Sequence, residues 1–182
     1  MTMTTLSWTK INVTEECVAE YPYARFFSPE FKTRKGNKEA LKLITHWMSR
    51  GPGPHRNGLL ISGPGQTGKT HIGMMLSLAL DYPLINSSEL FDWASGGERG
   101  TFERIVERFT KNRFILDDLG DESPTGNFPD PIPTIIDRLW MKGVGIIATT
   151  RRNSEYLTGL YGHPKVNAIK QSCLMAKLAT EE

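Results

Sequence analysis

The run Gly63-Pro64-Gly65-Gln66-Thr67-Gly68-Lys69-Thr70 satisfies the spacing G-x-x-x-x-G-K-[ST] at every fixed position. Each of those residue types answers a need of phosphate chemistry. Glycines let the backbone curl so that successive N–H groups converge on phosphate oxygens, and a helix starting near Lys69 adds the positive end of its dipole. Lys69 is placed to reach the β and γ phosphates of a nucleotide, and the Thr70 hydroxyl is an oxygen donor for magnesium. A chance glycine turn ahead of a helix is the bland alternative. It is disfavoured by context, because the run lies between a short apolar segment, Leu59 to Ile61, and a helical stretch from Lys69 to about Leu80.

Magnesium held by one hydroxyl and by phosphate calls for a carboxylate, best delivered from the end of a neighbouring buried strand. The string Arg113-Phe114-Ile115-Leu116-Asp117-Asp118 is such a strand, closing in two acids. Asp117 is the expected metal-side acid, and Asp118 the group that orients the water attacking the γ phosphate. In isolation such a pair reads as a solvated turn or a helix cap; beside a complete phosphate loop the catalytic reading takes over.

The elements that must position these residues follow from periodicity. Leu41, Ile44, Trp47 and Met48 recur at helical spacing from Asn37 to Arg50, and the GPGP at Gly51 to Pro54 stops that helix. Short runs at Pro83 to Asn86, Phe114 to Leu116 and Val144 to Ala148 join Leu59 to Ile61 as four expected strands. Ser88 to Trp93 is helix-prone and the SGGERG at 95–100 breaks it. Phe102, Ile105, Val106 and Phe109 then form an apolar stripe with Arg104, Glu107 and Arg108 turned outward. A loop rich in Pro, Gly and Asp runs from Gly120 to Pro131, after which Ile132, Ile135, Ile136, Leu139 and Trp140 resume the helical period. The tail from about Ser154 to Ala179 reads as helical, interrupted near Gly162 to Pro164, with Val166, Ile169, Cys173 and Leu174 as its stripe. Continuous apolar strands separated by helices imply a parallel sheet covered on both faces, the α/β class.

Three segments in order, GPGQTGKTHIG, RFILDDLGDE and IIDRLWMKGVGIIATT, resemble the AAA+ ATPases of the DnaC/DnaI helicase-loader and IstB transposition-helper group, over roughly Asn37 to Val166. His71 after the loop threonine and the Asp-Asp-Leu-Gly of Asp117 to Gly120 are particularly like that group. The resemblance implies a P-loop NTPase of AAA+ type, a three-layer sandwich with a parallel central sheet; the expected departure from the family is a reduced or absent lid. Residues 1–35 are then an irregular arm and possible docking segment, and 36–182 the ATPase domain. It makes Gly63, Pro64, Gly65, Gln66, Thr67, Gly68, Lys69, Thr70 and His71 the nucleotide contacts, Thr70 and Asp117 the magnesium ligands, and Lys69 and Asp118 catalytic.

Thr149 and Thr150 close the fourth strand where the family places a polar sensor of the γ phosphate, usually ending in Asn; here Arg151 follows, and Thr150 is the expected sensor. The family also takes an arginine from the next subunit. The corresponding stretch, Gly162 to Lys170, holds Lys165 and Lys170 instead, and a lysine lacks the planar bidentate contact of a guanidinium. Arg138, Arg151 and Arg152 are the candidate substitutes, Arg138 foremost. The implied cofactors are ATP and Mg2+. The implied partners are a replicative helicase or transposase, single-stranded or duplex DNA, and further copies of the chain in a nucleotide-dependent homo-oligomer.

Composition bounds these readings. A chain of 182 residues, 38% hydrophobic and 23% charged, suits one folded domain. With 22 Lys+Arg against 20 Asp+Glu the net charge is +2, so no overall field draws the protein to polyanions and any such binding is local. Arg99, Arg104, Arg108, Lys111 and Arg113 form a basic cluster, but Glu98, Glu103 and Glu107 interleave with them, which favours an ordinary i,i+4 charged face over a DNA contact. Only Cys17 and Cys173 are present, which argues against a disulfide framework or structural zinc. The absence of a secretory pattern and of a long apolar run makes the expected location cytoplasmic, away from membrane.

Three functions compete at this point. The first is an ATP-driven switch on DNA replication or transposition machinery, most like a helicase loader. The second is a nucleotide-binding interaction module with little turnover. A small-molecule kinase is the third, and the missing arginine-rich lid counts against it.

Overall fold

The computed structural model describes residues 37–50, 57–95, 100–122 and 130–179. The arm expected over 1–35, the Gly51 to Pro54 stop, most of the SGGERG break and residues 123–129 of the proline-rich loop lie outside the described residues. In chain order the elements are α1 (Lys38–Arg50), β1 (Gly58–Ser62), α2 (Lys69–Leu80), β2 (Leu84–Asn86), α3 (Ser87–Ser95), α4 (Thr101–Lys111), β3 (Ile115–Asp117), α5 (Pro131–Met141), β4 (Ile147–Thr150), α6 (Ser154–Tyr161), α7 (His163–Ser172) and β5 (Cys173–Lys177).

The strands form one parallel sheet in the order β2-β3-β4-β1-β5. Alternate residues of each strand serve opposite faces. Leu59, Ile61, Ile115 and Ile147 pack against Ile44 and Trp47 of α1 and Ile72 and Leu76 of α2. Leu60, Leu116, Ala148 and Cys173 face the other way, onto Leu90, Val106, Phe109, Ile135, Leu157 and Ile169 of α3 to α7. A sheet buried on both faces is why these strands read as unbroken apolar runs. Caps fix two of the helix entries: Asp130 accepts from Ile132 N at 2.9 Å ahead of Pro131, and Asn153 accepts from Tyr156 N at 2.8 Å.

Two expectations are corrected. The tail is not helical throughout: after α7 the chain enters a fifth strand, which pairs with β1 from Gly58↔Cys173 to Ser62↔Lys177. Leu174, Met175, Ala176 and Lys177 are all good helix formers, and pairing with β1 overrides that local preference. Trp140 also leaves the apolar stripe. Ile132, Ile135, Ile136 and Leu139 complete the buried face of α5, whereas Trp140 is 43% exposed. Smaller shifts occur at strand ends, where the fourth strand is Ile147–Thr150 and carries Thr149 and Thr150 inside the sheet.

Candidate nucleotide site

Parallel strands end together, so the loops after β1, β3 and β4 share one edge of the sheet. β1 and β4 are direct neighbours, and Gly63 N donates to Thr150 O at 3.2 Å just beyond their last paired residues. A Cβ at Gly63 would stand 2.6 Å from Leu178 O, so only glycine lets the loop leave β1 beneath the end of β5. Gly68, at φ 88°, makes the left-handed entry to α2 that glycine adopts without strain, and its carbonyl accepts from Ile72 N at 3.0 Å. Inside the loop the Pro64 carbonyl accepts from both Thr67 Oγ1 (2.9 Å) and Lys69 Nζ (2.6 Å). Burial pushes the Lys69 pKa down. Asp118, Asp117 and Asp121 pull it up, and Arg151 adds to the depression.

The acids arrive from β3. Asp117 is its last residue and is buried. Its carboxylate accepts from the Thr149 hydroxyl on β4. Burial raises its pKa, opposed by hydrogen bonds from Thr149, Thr70 and the Asp118 backbone and by the charge of Lys69. Thr70 and Asp117 lie together, and their oxygens are the hard donors that would suit Mg2+. Among the described residues no group of three or more His, Cys, Asp and Glu could hold a metal unaided.

Asp118 follows with φ 55°, a left-handed conformation that Asp tolerates better than most residues. Its backbone is held from three directions: its N–H donates to Thr149 Oγ1 (3.0 Å), and its carbonyl accepts from Ser87 Oγ (2.7 Å) and Asp121 N (3.0 Å). Burial raises the Asp118 pKa, as do the neighbouring Asp117 and Asp121, while Lys69 and Arg151 lower it. The edge of the sheet thus gathers a lysine, an arginine and three carboxylates within electrostatic reach of one another.

No protein family model and no curated protein matches the sequence. Solved structures do. DnaI superposes over 81% of this chain and 87% of its own, with a TM-score of 0.66 at 14% identity. The DnaC helicase loader covers 81% and 93%, at 0.62 and 19%. The replication initiator DnaA bound to AMPPCP and single-stranded DNA covers 83% and 49%, at 0.67 and 17%, so this chain spans about half of that one. The chain shares the fold of these proteins, an α/β domain around a five-stranded parallel sheet.

Within this fold the positions singled out in the sequence separate into two sets. Residues Gly63 to Thr70 together with Asp117 and Asp118 converge on the edge just described. His71, early in α2, is buried, and burial pushes its pKa down. The Thr150 hydroxyl is engaged with backbone on both sides, donating to Leu119 O at 2.6 Å and accepting from Arg152 N at 3.0 Å. Arg138 is exposed near the C-terminal end of α5, which delivers the chain to the opposite edge of the sheet, and its charge acts on Glu107 of α4. Lys165 is paired to Asp137 Oδ2 at 2.8 Å. The basic helix is an ordinary surface where described: Lys111 pairs with Glu107, and Arg104 donates to Thr101.

Three further residues brace the site through partners distant in the chain. Asn37 donates to Thr67 O (3.5 Å) and accepts from Ala179 N (3.0 Å), tying the phosphate loop to the end of β5. Glu122, buried, accepts from Gly120 N and from the Tyr161 hydroxyl, fixing the turn after Asp118 to α6. Asp121 receives two guanidinium groups, Arg151 Nε at 2.6 Å and Arg152 Nε at 2.7 Å, one on each oxygen. Beside them a cavity of ≈ 560 Å³ runs between the first loop residues, Gly63 and Pro64, and α6 and α7; its charged lining is Arg151, Arg152, Lys170 and Lys177, with no acid.

Proposed function

We propose that this protein binds ATP with magnesium at Gly63 to Thr70 and uses nucleotide turnover as a switch on DNA replication or transposition machinery, most like a replicative helicase loader. The observation that carries the reading is the convergence, on one edge of the sheet, of the loop bearing Lys69 and Thr70 with Asp117 and Asp118. Loop amides and Lys69 hold the phosphates, and Thr70 and Asp117 hold the ion, which supplies charge neutralisation on the phosphate oxygens. Asp118 orients water toward the γ phosphorus and accepts its proton as the bond to the β–γ bridging oxygen breaks. Fold similarity to DnaI, DnaC and DnaA supports the replication branch. The partners it implies are a hexameric helicase or a transposase, single-stranded or duplex DNA, and other copies of the chain, in the cytoplasm.

A second reading, a nucleotide-binding interaction module with little turnover, draws on one observation: the Thr150 hydroxyl is already committed to Leu119 O and Arg152 N. Calorimetry with ATP, ADP and GTP tests binding, which both readings require. A folded protein that takes up none of them ends both. Phosphate release by wild type and Asp118→Asn separates the two, since the substitution lowers turnover only where turnover exists. Light scattering with and without a nonhydrolysable ATP analogue tests the oligomer; a monomer under both conditions at high concentration removes that part.

A further inference from the structure

Arg151 and Arg152 are adjacent, carry the same charge and share one carboxylate, yet they are held very differently. Arg152 is anchored three ways. Its Nε bonds Asp121 Oδ1, its guanidinium lies 4.4 Å from the centre of the Tyr156 ring, and its backbone N–H donates to Thr150 Oγ1. Arg151 has a single side-chain tether, Asp121 Oδ2, and is 53% exposed. It also stands directly after Thr150, whose carbonyl accepts from Gly63, the first residue of the phosphate loop. Its charge already acts on Lys69 and on Asp118, and it lines the cavity beside Gly63 and Pro64, whose charged side chains are all cations.

From this asymmetry we infer that Arg151 is the guanidinium that contacts the γ phosphate in cis, and that Asp121 is its latch, a carboxylate it exchanges for phosphate oxygens. The inference rests on the proposed nucleotide site and deepens it. A guanidinium presents a planar fork that pairs with phosphate in the same geometry as with carboxylate, so the exchange conserves the bonding pattern. Asp121 keeps Arg152 throughout, which leaves the carboxylate paired when Arg151 departs. Arg152 is thereby a positioning residue for the latch, and Arg151 a contact of the substrate. The arrangement also supplies within one chain what Lys165, tied to Asp137, does not offer to a neighbour.

A contact confined to the third phosphate discriminates between triphosphate and diphosphate, so the decisive quantity is a ratio of affinities. Calorimetry on the full chain with magnesium compares a nonhydrolysable ATP analogue with ADP for wild type, Arg151→Ala, Arg151→Lys, Arg152→Ala and Asp121→Asn. Wild type is expected to prefer the analogue, and Arg151→Ala to lose about tenfold in analogue affinity with ADP unchanged. Arg151→Lys should fall between them. Asp121→Asn, which removes the competing charge, should strengthen analogue binding several-fold and leave ADP alone. Arg152→Ala, which is not expected to touch the nucleotide, should keep a ratio well above that of Arg151→Ala. An unchanged analogue-to-ADP ratio in Arg151→Ala overturns the assignment of Arg151, and weaker analogue binding in Asp121→Asn overturns the latch. If wild type binds neither nucleotide, the phosphate-loop reading itself has failed, an outcome distinct from both.

Discussion

β1 and β4 lie side by side, run in the same direction and end in loops joined by the Gly63 to Thr150 hydrogen bond, but they serve the same edge by different means. The loop after β1 works through its backbone. Its glycines create the space and the turn, and its chemistry is local to Gly63 to Thr70. The end of β4 works through side chains whose partners come from elsewhere: Thr149 bonds Asp117, Thr150 bonds Leu119, and Arg151 and Arg152 bond Asp121. A backbone device is written in consecutive residues, whereas a side-chain device is completed only by folding β3 against β4.

The comparison is broken most directly on the β1 side. Lys69→Ala should reduce nucleotide affinity by ~100-fold, since a charge-assisted contact to phosphate is worth up to about 3 kcal/mol. Isothermal calorimetry measures it, and unaltered affinity would remove the lysine from the site. Gly63→Ala against Gly65→Ala sharpens the backbone argument. The Cβ at 63 meets Leu178 O at 2.6 Å whereas that at 65 has nothing within 4 Å. Chemical denaturation should therefore show a loss of about 1–3 kcal/mol for the first and almost none for the second. Equal losses would mean that space is not what selects glycine at position 63.

What could be read from the sequence divides along the same line. The phosphate loop, the acids closing β3 and the covering of both sheet faces follow from consecutive residues and apolar runs. β5 was hidden because Leu174 to Lys177 carry no strand signal and acquire one only beside β1. Asp121 was visible within the acidic run that starts at Asp117, but nothing in that run says that two arginines on another strand close onto it. Arg138 lies at the opposite edge because α5 runs back against the strands and ends where β4 begins, a placement that leaves its service to a neighbouring copy open.

On the β4 side the two threonines give a finer test. Thr149→Val and Thr150→Val keep shape and remove one hydroxyl each. Both leave buried groups short of a partner, Asp117 and the Asp118 N–H in the first case, Leu119 O and the Arg152 N–H in the second. Each should cost about 1–2 kcal/mol in denaturant unfolding. Nucleotide binding separates them. If the Thr150 hydroxyl serves only the backbone, Thr150→Val leaves the ratio of ATP-analogue to ADP affinity intact; a collapse of that ratio would restore Thr150 as a sensor of the γ phosphate.

The smallest expected effect concerns the paired arginines, and here stability rather than binding is the readout. Arg152 packs on Tyr156 and keeps one Asp121 oxygen, partly shielded from solvent. Arg152→Ala should lower stability by about 1 kcal/mol, a fall in Tm of roughly 2–4 °C for a chain of this size. Arg151 is held by one more exposed ion pair, a class of contact that adds little to folding. Arg151→Ala should shift Tm by less than the Arg152 variant does in the same thermal scans without nucleotide. Adding the ATP analogue should widen the gap between wild type and Arg151→Ala, because ligand stabilisation grows with the logarithm of affinity. Matching losses in the two variants without ligand, together with no widening when the analogue is added, would show both guanidinium groups to be structural, and the end of β4 would then be no more than a brace for the loop beside it.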